Sequence, residues 1–376
     1  MTLKNLLTSA LLAAPALAHP GHKEKVYAHA ALPLERKSLA HCKTKFQEPE
    51  FVKRTVEIHA SEFHRLRRKR GLTAEEKPKV SPRDYLDVIK IDHKSNKTVT
   101  EGMELSTLFE DYGACMLMPA VDQGPLYVKG EEVRKDITNG EAGIPLTLAI
   151  QVVDYKTCET VTDAFVDIWS SNSTGIYTGV QGYPGMGDPN DASILQGTTL
   201  RGVQPVDDHG VASFDSLFPG HYDGRATHIH AIVYLEATQD ANNTITGGRA
   251  AHVGQLYFDQ TLIAEADKVT PYNTNTMTVV PNQNDFLFQM GANGDDPIVR
   301  YALVGENLED GLFAWIRFGI DQAANLPVNP AAFWTENGGV MNPTGPISQL
   351  PPGGGWPGWG MKKRVTDALE AAKRRN

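Results

Sequence analysis

His228 and His230 stand two apart at the head of an apolar run, His228-Ile229-His230-Ala231-Ile232-Val233-Tyr234-Leu235. In a strand, residues i and i+2 project to one face, so both imidazoles share a side while Ile229 faces the other. Two imidazoles so placed can share a metal ion. Zinc, copper and iron all accept them, and satisfied core histidines use the same pattern. Tyr222, six residues before His228 on a glycine-flanked loop, discriminates among these, because a phenolate is a hard anionic oxygen that suits Fe(III) better than zinc or Cu(I). A second tyrosine, Tyr177, lies in a loop containing Gly175 that follows the strand-like Asp167-Ile168-Trp169. Either tyrosine alone reads as an ordinary core or surface residue; with the two histidines they make a donor set that points to ferric iron.

The elements that must hold these residues are short. Between roughly 116 and 320, runs rich in β-branched and aromatic residues alternate with Gly, Pro, Asn and Asp, and predict strands over 146–154, 164–170, 210–217, 228–235, 254–258, 286–290, 301–305 and 312–320. No long amphipathic helix separates them. The pattern predicts a mainly β fold: an antiparallel β-sandwich core with an N-terminal helical extension and an irregular C-terminal tail. No glycine-rich phosphate loop joins a strand to a helix, which argues against nucleotide use.

The 376-residue chain is 41% apolar, and its 34 glycines bring that share to about half, the globular proportion, which excludes overall disorder. A net charge of -9 argues against a general nucleic-acid binder. Residues 1–18 have a lysine, a short apolar run and an Ala16-Leu17-Ala18 ending, and predict a signal peptide and a secreted, extracellular protein beginning at His19. No window is long enough for a membrane span. Sequons at Asn96, Asn172 and Asn242 agree with a glycoprotein. A flexible His19-Pro20 start with His22 could bind copper, though two histidines at a mobile end need no such role.

Three cysteines permit one disulfide, for which Cys115 with Cys158 is the expectation. Residues 19–110 are expected to form a partly helical extension, with its charged, helix-forming stretch from about 32 to 72. Its basic run Arg65-Leu66-Arg67-Arg68-Lys69-Arg70 reads as a solvated helix face, a dibasic processing site that would leave a chain from Gly71 onward, or a polyanion patch. The catalytic domain is expected over 111–325. A Pro/Gly-rich tail over 326–376 follows, unable to form a core of its own, with a short charged helix over 362–375.

Several motifs occur together: Gly124-Pro125-Leu126-Tyr127-Val128, Asp167-Ile168-Trp169, Gly175-Ile176-Tyr177, Leu200-Arg201-Gly202, Pro219-Gly220-His221-Tyr222, Arg225 with His228-Ile229-His230, and Gln255-Leu256-Tyr257-Phe258. Over about 119–259, and more loosely to 320, they resemble the intradiol ring-cleavage dioxygenases, in particular the secreted fungal branch. The resemblance implies one non-haem Fe(III) per chain, held by Tyr177, Tyr222, His228 and His230. It implies that a catechol binds as a dianion and displaces Tyr222, which can carry off a substrate proton, and that O2 then cleaves the ring to a cis,cis-muconate. Arg225 matches an arginine that stabilises negative charge on the bound ring, and Gln255 a glutamine that supports it. Without the surrounding motif, Arg225 reads as a surface salt-bridge partner and Gln255 as a strand-edge polar residue. Thr178 departs from a serine common after the first tyrosine, and the pocket segments over 179–199 and after Met290 do not align, which leaves the substrate open between simple catechols, the favoured reading, and hydroxyquinols.

The expected partners are a small aromatic diol and O2, with no nucleic acid or membrane, and a homodimer through the N-terminal helices is possible by the same resemblance. Two other readings compete. One is a non-catalytic secreted binding module with structural histidines. The other is a zinc hydrolase, for which no His-Glu-x-x-His or nearby general-base carboxylate is present.

Overall fold

The structure is a computed structural model that describes residues 39–71, 89–90, 92–95, 123–181, 191–292 and 296–349. The signal peptide, His19, His22, Asn96, Cys115 and the charged ending over 362–375 lie outside the described residues. Those described fall within one compact unit.

Among the described residues the fold is mainly β, with eleven strands in three sheets. Two four-stranded sheets form the sandwich. In one, β5 (Val211–Leu217), β2 (Pro145–Asp154), β9 (Leu312–Ile320) and β8 (Arg300–Leu303) lie side by side; in the other the order is β4 (Arg201–Pro205), β3 (Ala164–Trp169), β6 (His228–Gln239) and β7 (Ile245–Tyr257). The second sheet is antiparallel throughout. In the first, β2 and β9 pair in parallel, which their distance along the chain permits, since a parallel pair needs a long crossover.

Alternation along the strands separates core from site. Leu146, Leu148, Ile150 and Val152 of β2 meet Ile229, Ala231, Val233 and Leu235 of β6 between the sheets, with Val166, Ile168, Ile316 and Phe318. The other residues of β6 therefore face away from this core. The outer face of the β2 sheet is covered by α2 (Pro49–Arg70), whose Val56, Phe63 and Leu66 pack on Ala149, Phe313 and Trp315. The short α1 (Lys43–Phe46) precedes it.

The basic run forms the C-terminal end of α2, closed by Gly71 at φ 69°. Only part of it is a solvated face. Arg65 binds Asp215 at 2.7 Å, and the nearly buried Arg67 donates to the Val304 carbonyl at 2.6 Å. Cleavage there would require this docked turn to open.

Three expectations need correction. Cys158 pairs with Cys42 rather than Cys115, tying the helical extension to the turn after β2. Spacing could not reveal this, because pairing depends on where the extension docks. The segment expected as a strand over 286–290 is helix α3 (Phe286–Gly291), started by Asp285, whose carboxylate accepts from Leu287 N at 2.8 Å and Phe288 N at 3.1 Å. The start of the tail is ordered as well: β10 (Ala332–Thr335) and β11 (Gly338–Met341) form a hairpin, and β10 pairs with β1 (Val128–Lys129). This segment has no core of its own, but Ala331, Ala332 and Ile347 are buried in the cluster on the outer face of the β6 sheet.

Candidate metal centre

That outer face carries a row of side chains set by strand register: Arg201 on β4 is opposite Trp169 on β3, Trp169 opposite His230 on β6, and His230 opposite Gln255 on β7. His228 pairs with Tyr257. Two loops bring the tyrosines over this row. In the loop after β3, the Asn172 side chain accepts from Thr174 N at 3.1 Å and Ile176 N at 3.0 Å, turning the chain so that Tyr177 points inward. Gly175, at φ 84°, lets this loop nest on the one carrying Tyr222; a Cβ there would lie 2.2 Å from the His221 carbonyl. Gly124, at φ 74°, brings a third loop onto His230, where a Cβ would come within 2.9 Å of the ring.

Tyr177, Tyr222, His228 and His230 are all buried and brought together. His228 Nδ1 lies 2.6 Å from the Ala226 carbonyl, which can only accept, so Nδ1 carries the hydrogen and Nε2 of the neutral ring is a bare lone pair. That lone pair faces the Tyr222 hydroxyl at 3.3 Å and His230 Nε2 at 3.0 Å. The Tyr177 ring is 5.4 Å from that of Tyr222 and 6.2 Å from that of His230. Its hydroxyl is buried without a hydrogen-bond partner among the described residues.

Burial, with the Arg225 charge second, pushes His228 down to about 3, and burial followed by the charge of His228 holds His230 well below the usual range. Burial pushes the Tyr222 phenol up to about 12 against the pull of Arg225, and holds Tyr177 well above its usual value. Without a cation, the site holds two neutral imidazoles and two protonated phenols. The close-set ring nitrogens of His228 and His230 and the buried Tyr177 hydroxyl are groups a bound cation would satisfy, and two imidazoles with two phenolic oxygens suit ferric iron. Among the described residues, the group of His, Cys and carboxylate side chains close enough to hold an ion is His41, Cys42 and Cys158, whose sulfurs are joined to each other. Among the described residues, no carboxylate groups with His228 and His230 closely enough to hold an ion.

Arg225 lies beside the donors with its side chain 19% exposed. Its Nε donates to Asp285 at 2.8 Å, and one terminal nitrogen donates to Gln255 Oε1 at 2.5 Å and Tyr257 hydroxyl at 2.8 Å. The Tyr257 hydroxyl also donates to Gln255 at 2.8 Å. Burial alone would raise the Asp285 carboxyl, but Arg225 outweighs it and holds it below the usual range. Gln255 thus lies within hydrogen-bond distance of Arg225. Sequence reasoning gave no role to Asp285, Tyr257, Trp169 or Arg201. Asp285 had a signal, an aspartate directly before an apolar run, which marks a helix start.

No family model matches the chain, and no curated protein is similar to it. Solved structures similar to it include an intradiol ring-cleavage dioxygenase from Tetranychus urticae, at 29% identity over 56% of this chain and 97% of that one, TM-score 0.47. Another is the dioxygenase domain of a dioxygenase carbohydrate-binding protein fusion from Streptomyces sp. SirexAA-E, at 21% identity over 55% and 99%, TM-score 0.36. Catechol 1,2-dioxygenase from Pseudomonas arvilla C-1 is similar at 17% identity over 64% and 70%, TM-score 0.36. With TM-scores below 0.5, the chemistry has to be read from this chain's own residues.

Proposed function

We propose that this chain is an extracellular non-haem Fe(III) intradiol dioxygenase. It cleaves the ring of simple catechols between the two hydroxylated carbons, incorporates both atoms of O2 and yields muconate-type products. The observation that carries this reading is the convergence of Tyr177, Tyr222, His228 and His230 beside an arginine with fixed orientation. When bound, ferric iron would supply Lewis-acid chemistry that activates the diol ring toward O2.

The chain's own residues do the rest. Tyr177, His228 and His230 hold the ion, and Trp169 stacked on His230 fixes that ring. Tyr222, on its glycine-flanked loop, would help to hold the ion, and its oxygen would accept a proton from a substrate hydroxyl. Arg225 turns a cation toward the ring, where negative charge develops, and Asp285, Gln255 and Tyr257 hold it so that no reorganisation is needed during reaction.

In this reading the catalytic domain extends past 325 to include the β10–β11 hairpin, and the N-terminal helices dock on the sandwich. Secretion is supported by the Cys42–Cys158 disulfide, since such bonds persist in oxidising compartments. A binding module with structural histidines would leave the buried Tyr177 hydroxyl without purpose. Turnover of catechol under isotopically labelled O2 tests the reaction: both labelled atoms should appear in a ring-opened dicarboxylate, and a product labelled at one atom, or an extradiol aldehyde, would contradict it.

A further inference from the structure

Arg201 is 1% exposed, too deep to touch a substrate. Its Nε donates to the Thr178 carbonyl at 2.7 Å and Nη2 to the Leu126 carbonyl at 2.8 Å, while its Cζ lies 5.9 Å from the centre of the Tyr177 ring. Thr178 directly follows Tyr177, and Leu126 belongs to the loop whose Gly124 closes on His230. One guanidinium therefore ties together the loops over two of the four donors. It also stands beside Trp169, the residue stacked on His230. Its counter-charge is Glu131, 1% exposed, with Oε1 3.9 Å from Arg201 Nε and neither carboxylate oxygen hydrogen-bonded among the described residues. Arg225 approaches from the other side of the site, where its partners are Asp285, Gln255 and Tyr257.

We propose that Arg201 is a positioning residue of the metal centre, which fixes the Tyr177 loop and sets the electronic energy of Tyr177 as a ligand through a positive charge held against its ring. The proposal rests on the reading of Tyr177 as an Fe(III) ligand. A cation beside a phenolate stabilises the electrons that a ligand-to-metal transition moves, so that transition takes more energy with the charge than without it. A role confined to packing would lower stability and leave the transition where it is.

The test uses the full chain, loaded with iron, as Arg201→Met, Arg201→Lys and Glu131→Gln, with visible spectra, iron content and thermal melts. Arg201→Met should absorb at longer wavelength by on the order of 20 nm, the shift a unit charge about 6 Å away gives at an effective dielectric near 20. Arg201→Lys should stay near the wild-type position but hold iron less well, because the two-carbonyl fork is lost. Glu131→Gln, read at pH 8, above the about 7 to which burial raises the Glu131 carboxyl, should shift the band to shorter wavelength. Iron-loaded Arg201→Met with an unmoved band overturns the proposal; if that variant fails to fold or to hold iron, an unmoved band in Glu131→Gln does so. A wild-type protein with neither iron nor colour overturns the underlying ligand reading instead.

Discussion

Trp169 lies flat on His230: the ring planes differ by 1° and the centroids are 4.8 Å apart. Both belong to the outer face of one sheet, in register across β3 and β6, so the stack follows from strand pairing. Trp169→Ala should cost about 3–5 kcal/mol, as for other buried Trp truncations, and should free His230 to rotate. The expected result is a lower melting temperature together with reduced iron retention. Full iron at wild-type affinity in a folded Trp169→Ala protein would show that the stack does not position His230.

Arg225 and Asp285 should be separable by a double variant. Arg225→Ala leaves the buried Asp285 carboxylate with its backbone donors but no counter-charge, a loss of about 3 kcal/mol, and removes a preorganised cation worth about 100-fold in turnover. Arg225→Ala with Asp285→Asn should recover much of the stability and none of the turnover. Recovery of turnover in the double variant would place Arg225 in a purely structural role.

Chemistry and strand period coincide on β6: His228 and His230 alternate with Ile229 and Ala231, so one strand's pattern marks both a core face and a face carrying two candidate ligands. Tyr177, Tyr222, Arg225 and Gln255 were named for the site by the family resemblance of the motifs around them; the fold brings Tyr177 to Tyr222, Tyr222 to His228, and Gln255 to Arg225. What escaped was set by docking between distant segments. Asp285 reaches Arg225 across 60 residues, Cys42 reaches Cys158 across 116, and Ala331 and Ala332 are buried only because β10 adds to β1. The run from Phe286 to Met290 looked like a strand by composition; the Asp285 cap makes it a helix.

His93 gives a pH dependence whose sign is fixed. It is fully buried, with Nδ1 2.6 Å from Asp259 and Nε2 2.8 Å from Asp296. Burial alone would lower its pKa, but the two carboxylates outweigh that and raise it to about 9 from 6.5. A raised folded-state pKa contributes stability that is complete below 6.5 and is lost as pH climbs through about 9. The stability difference between wild type and His93→Gln, from denaturant melts, should therefore shrink across that interval. A difference that stays constant or grows would contradict the protonated bridge.

Glycan occupancy should differ between two sequons. Asn242 is exposed in the turn between β6 and β7, where a sugar can point into solvent. Asn172 is half-buried between Ser171 and Ser173, with its side-chain oxygen accepting from Thr174 and Ile176 in the turn that delivers Tyr177. Glycopeptide mass spectrometry of iron-loaded protein should find sugar at Asn242 and little at Asn172. Full occupancy of Asn172 in active material would mean that this turn tolerates opening.

The most direct measurement is the metal content and visible spectrum of protein secreted by cells grown with ample iron. Four converging donors, two of them phenols, predict about one iron per chain and a reddish protein with a tyrosinate charge-transfer band that is weakened and shifted in Tyr177→Phe. Colourless protein with stoichiometric zinc and no iron would contradict the account.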